Sequence, residues 1–274
     1  MDRTAHLHCR VGIVGLGPIG RAVARALDDG LDGYLLSAVS AAHRDRAATF
    51  SRTLRVPVPV MPADDMTTCA DLVVECAPSA IFDDIARPVL TAGRDLVVLS
   101  SGALLEHWDL VELARRTGGR ILVPSGALLG LDAVQAAAEC GGLRSVRMTT
   151  RKPAASLLGA PYLTSRAEEL ATLTEPALLF EGTAREAIEG FPANLNVAVA
   201  LSLAGLGPER TSVEIWADPD LDRNTHRIDV EADSASFSMT IANVPSENPK
   251  TGRITALSVI ALLRKLRAPL RIGT

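Results

Sequence analysis

Six residues near the amino terminus, Gly15-Leu16-Gly17-Pro18-Ile19-Gly20, do most to limit what this chain can become. They follow the apolar run Arg10-Val11-Gly12-Ile13-Val14 and lead into Ile19–Leu27, where Ile19, Val23 and Leu27 recur on one helical face. A strand that passes through G-x-G-x-x-G into a helix is the fingerprint of a dinucleotide site. The first glycine makes the tight turn, the second lets backbone approach a pyrophosphate, and the third lets helix and strand pack closely. Pro18 suits a first helical turn, where its missing N–H is no loss. The helix start then offers free N–H groups and a positive dipole end to phosphate. Gly15, Gly17, Pro18, Ile19 and Gly20 are therefore the candidate cofactor loop.

The rhythm that follows extends this reading. Apolar runs at Tyr34–Ser40, Asp71–Cys76, Asp95–Leu99 and Arg120–Val123 predict strands. Helical stretches lie between them near Asp45–Leu54, Ser79–Thr91 and Glu106–Thr117. Strands that are apolar throughout and alternate with helices form a parallel sheet covered on both faces. The fold class is thus α/β, a Rossmann-type doubly wound sheet whose ligands sit at the carboxyl ends of the strands. Two stretches at such ends, Cys76-Ala77-Pro78-Ser79 and Ser100-Ser101-Gly102-Ala103, are built of small residues. That suits close passage of a dinucleotide, and Ala77, Pro78, Ser101 and Gly102 join the candidate set. Packing alone also favours small residues there. The end of the second strand should carry an acid for the ribose 2′-hydroxyl. It reads Ser40-Ala41-Ala42-His43-Arg44-Asp45 instead. Arg44 is either a partner for a 2′-phosphate or a solvated residue at a helix start, so NAD and NADP both remain open.

After Pro124 the pattern changes. Leu143–Arg151, Thr211–Ala217, His226–Ala232 and Ser236–Ala242 predict strands, the last two forming an antiparallel hairpin around Asp-Ser-Ala. Helices are predicted at Thr183–Glu189, at Ala193–Ala204 and over Gly252–Leu266. Two domains follow. Residues 1–125 form the dinucleotide-binding domain, and 126–251 form a second α/β domain with a mixed or antiparallel sheet for substrate binding and dimerisation. The closing helix, within 252–274, packs back on the first domain. At 274 residues the chain is long enough for two cores.

Composition removes several classes of function. A net charge of −4, no Lys/Arg-dense block and 3% aromatic residues argue against nucleic acid as a partner. No apolar run reaches the length of a membrane span, and the start lacks a signal peptide's apolar middle. The four cysteines show no C-x-x-C pairing, so neither a metal clamp nor a disulfide framework is expected. The expectation is a cytoplasmic enzyme with a small-molecule substrate and no metal.

Few residues are equipped for proton transfer. Of the five histidines, two lie in the amino-terminal tail, and His43 and His107 read as surface residues near helix starts. His226, in Asp222-Arg223-Asn224-Thr225-His226, is the only one in the second half of the chain. An unperturbed imidazole titrates near ~6.5 and suits a dehydrogenase that needs a proton acceptor near neutral pH. A lone histidine is otherwise commonly structural. Asn194 and Asn196 stand together at a helix entry, where one amide serves as a cap and the other is available to cofactor or substrate. Arg151-Lys152-Pro153 and Asn248-Pro249-Lys250-Thr251 offer cations for an anionic substrate or plain surface charge. Lys152, Lys250 and Thr251 are the substrate-binding candidates, with Asn194.

Five motifs, in order, carry a resemblance: Pro124-Ser125-Gly126-Ala127, Arg151-Lys152-Pro153, Phe191-Pro192-Ala193-Asn194-Leu195-Asn196-Val197, Asn224-Thr225-His226 and Glu247-Asn248-Pro249-Lys250-Thr251. Together they resemble the L-aspartate dehydrogenase family over nearly the whole chain beyond the first nine or so residues. The resemblance implies NAD(P)-dependent oxidative deamination of L-aspartate to oxaloacetate and ammonia by way of iminosuccinate, in a reversible reaction. It implies His226 as the catalytic residue, Ala127 and Asn196 as cofactor contacts, and a homodimer built on the second domain. Iminosuccinate would link such an enzyme to pyridine nucleotide biosynthesis. The chain departs from the expected pattern at the end of the second strand, which leaves cofactor preference undecided. Two other readings fit the two-domain frame: another NAD(P)-dependent amino- or hydroxy-acid reductase, and a non-catalytic NAD(H)-binding sensor. Dihydrodipicolinate reductase would be expected to show a His-His pair in its second domain, which this chain lacks.

Overall fold

A computed structural model describes residues 8–139, 141–192, 195–246 and 252–273. The chain divides into two compact units, one made of the residues up to Pro124 together with Ala256–Arg271, the other chiefly of Ser125–Thr255.

The first unit holds a five-stranded sheet of β1 (Cys9–Val14), β2 (Tyr34–Ser40), β3 (Leu72–Glu75), β4 (Asp95–Val98) and β5 (Ile121–Leu122). All neighbours are parallel, in the order β2-β1-β3-β4-β5. A further backbone pairing joins Val39 to Val60, with Val39 N–H donating to Pro59 O (3.0 Å) and Met61 N–H to Val39 O (2.9 Å). Counting that short segment as a strand gives the spatial order 3-2-1-4-5-6 of a Rossmann sheet. Around it lie α1 (Pro18–Asp28), α2 (Arg44–Ser51), α3 (Phe82–Thr91), α4 (Ser101–Glu106) and α5 (Asp109–Thr117). The helix expected as one piece over Glu106–Thr117 is thus the second of two. The chain breaks at His107-Trp108, where neither glycine nor proline marks the place. At the strands' amino ends, Arg10 and Arg94 both reach Asp71, tying β1 and β3 together away from the ligand side.

The second unit is built on a mixed sheet in the order β10-β9-β6-β8-β7. Its strands are β6 (Leu143–Pro153), β7 (Ala177–Thr183), β8 (Thr211–Asp218), β9 (Asn224–Ala232) and β10 (Ser236–Asn243). β6 runs parallel to β8 and antiparallel to β9, and the β9–β10 hairpin forms one edge. The associated helices are α6 (Leu131–Ala138), α7 (Ala154–Leu157), α8 (Ala167–Ala171), α9 (Ala184–Gly190) and α10 (Asn196–Ala204). One face of the sheet, with Met148, Val213, Ile215 and Ile228, is buried in a core with Val134, Ala187, Ala198 and Leu201. The alternate residues Arg147, Glu214 and Arg227 face the other way and carry ion pairs to each other or to Asp229. This alternation is what a sheet covered on one side produces. α9 starts on a capping box between Thr183 and Glu186, which satisfies two otherwise unpaired N–H groups.

α11 (Ile254–Arg267) lies mostly within the first unit, where Ala256, Val259 and Leu263 enter the core beside Leu27 and Tyr34. The Tyr34 hydroxyl donates to Leu263 O at 2.9 Å. Among the described residues, no helix is long and apolar enough to cross a membrane. A buried hydrogen bond of this kind contributes about 1 kcal/mol. Tyr34→Phe should therefore lower unfolding stability by about that amount in urea titrations, with α11 opening earlier in hydrogen exchange than in the parent.

Candidate active site

The turn from β1 into α1 owes its shape to its glycines. Gly15 sits at φ +99°, in the region that disfavours side chains, and a Cβ there would overlap the Cys76 carbonyl. A Cβ at Gly20 would overlap the Gly15 carbonyl oxygen, so α1 packs directly on the loop. Gly17 differs from both. It lies at φ −70° as the helix N-cap, no side chain caps the helix there, and a Cβ would have no atom within 4 Å. Space and unpartnered helix-start geometry together fit a pyrophosphate. Pro18 stands at the start of α1, and Ile19 packs against the core of the unit.

A group missed in the sequence organises the neighbouring loops. Glu75 ends β3 fully buried, and its carboxylate accepts from Ala77 N (2.8 Å), Leu99 N (3.2 Å), Ser100 N (2.9 Å) and Ser100 Oγ (3.0 Å). Burial pushes its pKa up from the usual carboxylate value, and these hydrogen bonds oppose that rise. One side chain thereby pins both small-residue loops, those bearing Ala77 and Pro78 and those bearing Ser101 and Gly102. The signal in the sequence was an acid closing the apolar run Leu72-Val73-Val74. At the end of β2, Arg44 opens α2 on the surface, its Nη2 3.5 Å from Val60 O. With Ala42, His43, Asp45 and Arg46 it lines a solvent-open hollow of about 390 Å³.

The second unit carries the other polar cluster. The register of β6 against β9 pairs Thr150 with His226, and Thr150 Oγ1 shares a hydrogen bond with His226 Nδ1. With Nδ1 engaged, Nε2 is the ring nitrogen left to exchange a proton. His226 is 3% exposed and Lys152, on the same face of β6, 2% exposed. Burial first, and the charge of Lys152 second, hold the imidazole's pKa down to about 3. It is therefore neutral at any ordinary pH. Asn224 and Asn243 face each other across the β9–β10 pair, and Asn243 Nδ2 donates to Ala127 O at 2.9 Å. Asn196 is the first residue of α10, partly buried, on a segment anchored by the fully buried Phe191 and Leu195. Asn194, Lys250 and Thr251 lie outside the described residues. The structure thus brings His226, Thr150, Lys152, Asn224, Asn243 and Ala127 onto one sheet and its adjoining loop. Sequence reasoning had named only three of these six, since Thr150, Asn224 and Asn243 emerge from strand register.

A Rossmann unit joined to a mixed-sheet unit with a buried imidazole beside a buried ammonium defines an NAD(P)-dependent dehydrogenase. Residues 15–124 match the family described as homoserine dehydrogenase, NAD binding domain, and residues 132–266 match aspartate dehydrogenase, C-terminal. The L-aspartate dehydrogenase of Bradyrhizobium diazoefficiens is 59% identical over 273 residues, covering all of this chain and 97% of that protein. That of Methanosarcina mazei is 41% identical, covering 97% and 99%. The crystal structure of aspartate dehydrogenase from Thermotoga maritima shares the fold, with a TM-score of 0.72 at 23% identity, covering 97% of this chain and all of that one. This chain belongs to the aspartate dehydrogenase family.

Two expectations follow from the site. Gly17→Ala should fold with unchanged thermal stability yet lose at least about tenfold in dinucleotide affinity, because its methyl enters the phosphate space. Gly20→Ala should instead lose stability, by about 1–3 kcal/mol, as overpacking does. The second concerns His226. Its folded pKa of about 3 lies below the unfolded value of ~6.5, so the unfolded chain takes up the proton first. The stability tied to neutral His226 is whole above pH 6.5 and falls as pH drops from there toward 3, by about 1.4 kcal/mol per unit. Urea unfolding of His226→Gln between pH 6.5 and 4.5 should lack that slope.

Proposed function

We propose that this chain catalyses the NAD(P)-dependent oxidative deamination of L-aspartate to oxaloacetate and ammonia through iminosuccinate, reversibly. The observation that carries the reading is the neutral, buried His226, oriented by Thr150 and set beside Lys152, in a chain of this family. The dinucleotide, when bound, supplies the acceptor for the hydride that leaves the aspartate Cα. Gly15, Gly17, Pro18, Ile19 and Gly20 receive its phosphates, while Ala77, Pro78, Ser101 and Gly102 flank it on loops held by Glu75. Ala127 and Asn196 are assigned to the cofactor through the family resemblance.

His226 manages the protons. Hydride departure needs the substrate nitrogen's lone pair to form the C=N bond, so the ammonium must first lose a proton, and Nε2 takes it. Once that proton has passed to solvent, the same nitrogen draws a proton from the water that adds to the imine carbon, and it returns protons in the aminating direction. A base with so low a pKa in the free protein is a weak one. Lys152 is the main charge holding it down after burial itself. A substrate carboxylate beside Lys152 offsets that charge and strengthens the base when substrate is present. Lys152 so serves both to fix the dicarboxylate, whose orientation supplies much of the rate, and to couple binding to basicity. Lys250, Thr251 and Asn194 complete the assigned substrate contacts. The homodimer and a cytoplasmic location belong to the same proposal and rest on the resemblance.

The test is initial-rate oxidation of NADH and NADPH with oxaloacetate and ammonium, beside pyruvate and 2-oxoglutarate. Ammonium-dependent turnover confined to oxaloacetate is expected. Its absence with dinucleotide binding intact would overturn the reading. His226→Ala should lose about 10²–10⁴ in kcat with unchanged NADH affinity. Arg44→Ala should weaken NADPH about tenfold and leave NADH unaffected if Arg44 meets the 2′-phosphate.

A further inference from the structure

Two buried side-chain atoms in the second unit have no role in the steps above. Asn224 opens β9 and Asn243 closes β10, and the antiparallel register sets them directly opposite one another. Their exposures are 7% and 3%. Among the described residues, neither Asn224 Oδ1 nor Asn243 Oδ1 meets a hydrogen-bond donor. The orientation of Asn243 is fixed, since its Nδ2 donates to Ala127 O at 2.9 Å and its Oδ1 points elsewhere.

A buried acceptor left unpaired forfeits the hydrogen bonds it made to water in the unfolded chain. Two of them in one cross-strand pair, where Cβ atoms lie about 4.5–5.5 Å apart, need an explanation. A partner that completes them donates hydrogen bonds. A protonated amine has N–H donors and no acceptor of its own, and ammonia is nearly as well matched. Position supports the same class of ligand. Asn224 precedes His226 by two residues on one strand, so both side chains leave the same face of the sheet about 6.5–7 Å apart. A nitrogen held at the asparagine pair is then within one substrate's width of the imidazole. The choice of amide over carboxylate also has a chemical reason. A carboxylate at this place would hold the proton on the nitrogen by charge, whereas a neutral carbonyl oxygen accepts from the ammonium and the free amine alike.

We propose that Asn224 and Asn243 form the nitrogen subsite. Their side-chain oxygens accept from the α-ammonium of the amino-acid substrate in deamination and from ammonia in amination, presenting the nitrogen to His226. This assignment rests on the deamination reading above and names the part of the site that recognises its amine.

Asn224→Ala is the clean variant, because Asn243 also holds the Ala127 carbonyl. The experiment measures NADH oxidation against ammonium chloride at fixed pH, with potassium chloride keeping ionic strength constant, and NADH affinity by fluorescence titration. Asn224→Ala should raise KM for ammonium at least tenfold while KM for oxaloacetate and Kd for NADH stay within twofold. Asn224→Asp should restore ammonium KM but lower kcat and move the acid limb of its pH profile upward, as a carboxylate retains the proton. A purely structural role for Asn224 would move neither the KM split nor the pH profile. An unchanged ammonium KM in Asn224→Ala, or a rise in oxaloacetate KM or NADH Kd in its place, would overturn the proposal. Should the parent enzyme show no ammonium-dependent turnover, the deamination reading fails first and the subsite with it. Intact parent kinetics with an unmoved ammonium KM would reject the subsite alone.

Discussion

An imidazole buried beside a buried lysine gives up most of its basicity, and the polar cluster of the second unit is arranged around that pair. The β6–β9 register presses Thr150 against His226 and leaves Lys152 on the same face. Desolvation then favours the neutral ring. A neutral imidazole is ready to accept a proton but reluctant to keep it, and an anion meeting the lysine's charge would strengthen it as a base. On the proposed mechanism, base strength belongs to the substrate complex more than to the free protein.

The two units divide their labour along the same lines. In the first, backbone does the work: Gly15 and Gly20 bring chain against chain, Gly17 leaves space, and the Glu75 carboxylate gathers N–H groups from two loops. Recognition there depends on main-chain geometry and tolerates few side chains. In the second, side chains from separate strands are gathered by a mixed sheet, which supplies what a glycine loop cannot. Its strands place residues distant in sequence at fixed cross-strand positions, as with Thr150 against His226 and Asn224 against Asn243. Both asparagine oxygens are buried at facing positions of that strand pair.

Much of this was legible in the sequence because it rests on local rules. Glycine spacing, apolar strands and helical periodicity gave the parallel sheet, and the Asp233-Ser234-Ala235 connection gave the hairpin. What stayed hidden had no local signal. The break at His107-Trp108 carries no glycine or proline, and Val60 joins the sheet through a single pairing. β7 is an apolar run, Ala177–Phe180, that a helix start immediately follows. α6 is alanine-rich without a capping side chain, preceded only by Gly130 in the left-handed region. The predicted hairpin ended short of Asn224 and Asn243, because polar residues close both strands and strand ends are where pattern fades. Glu75 looked like an ordinary strand terminus until its four hydrogen bonds showed two loops held by one carboxylate. In each case the function of the residue is decided by a partner far away in sequence.

Hydride transfer between the α-carbon of aspartate and a nicotinamide is the step on which the proposed function turns. L-Aspartate carrying deuterium at Cα, incubated with the oxidised dinucleotide and the intact protein, tests it directly by mass spectrometry of the reduced dinucleotide. The account predicts that the label appears in the dinucleotide, in proportion to the oxaloacetate formed, and that turnover is slower than with unlabelled aspartate when hydride transfer limits the rate. Reduced dinucleotide without the label, or none at all in the presence of bound cofactor, would contradict it.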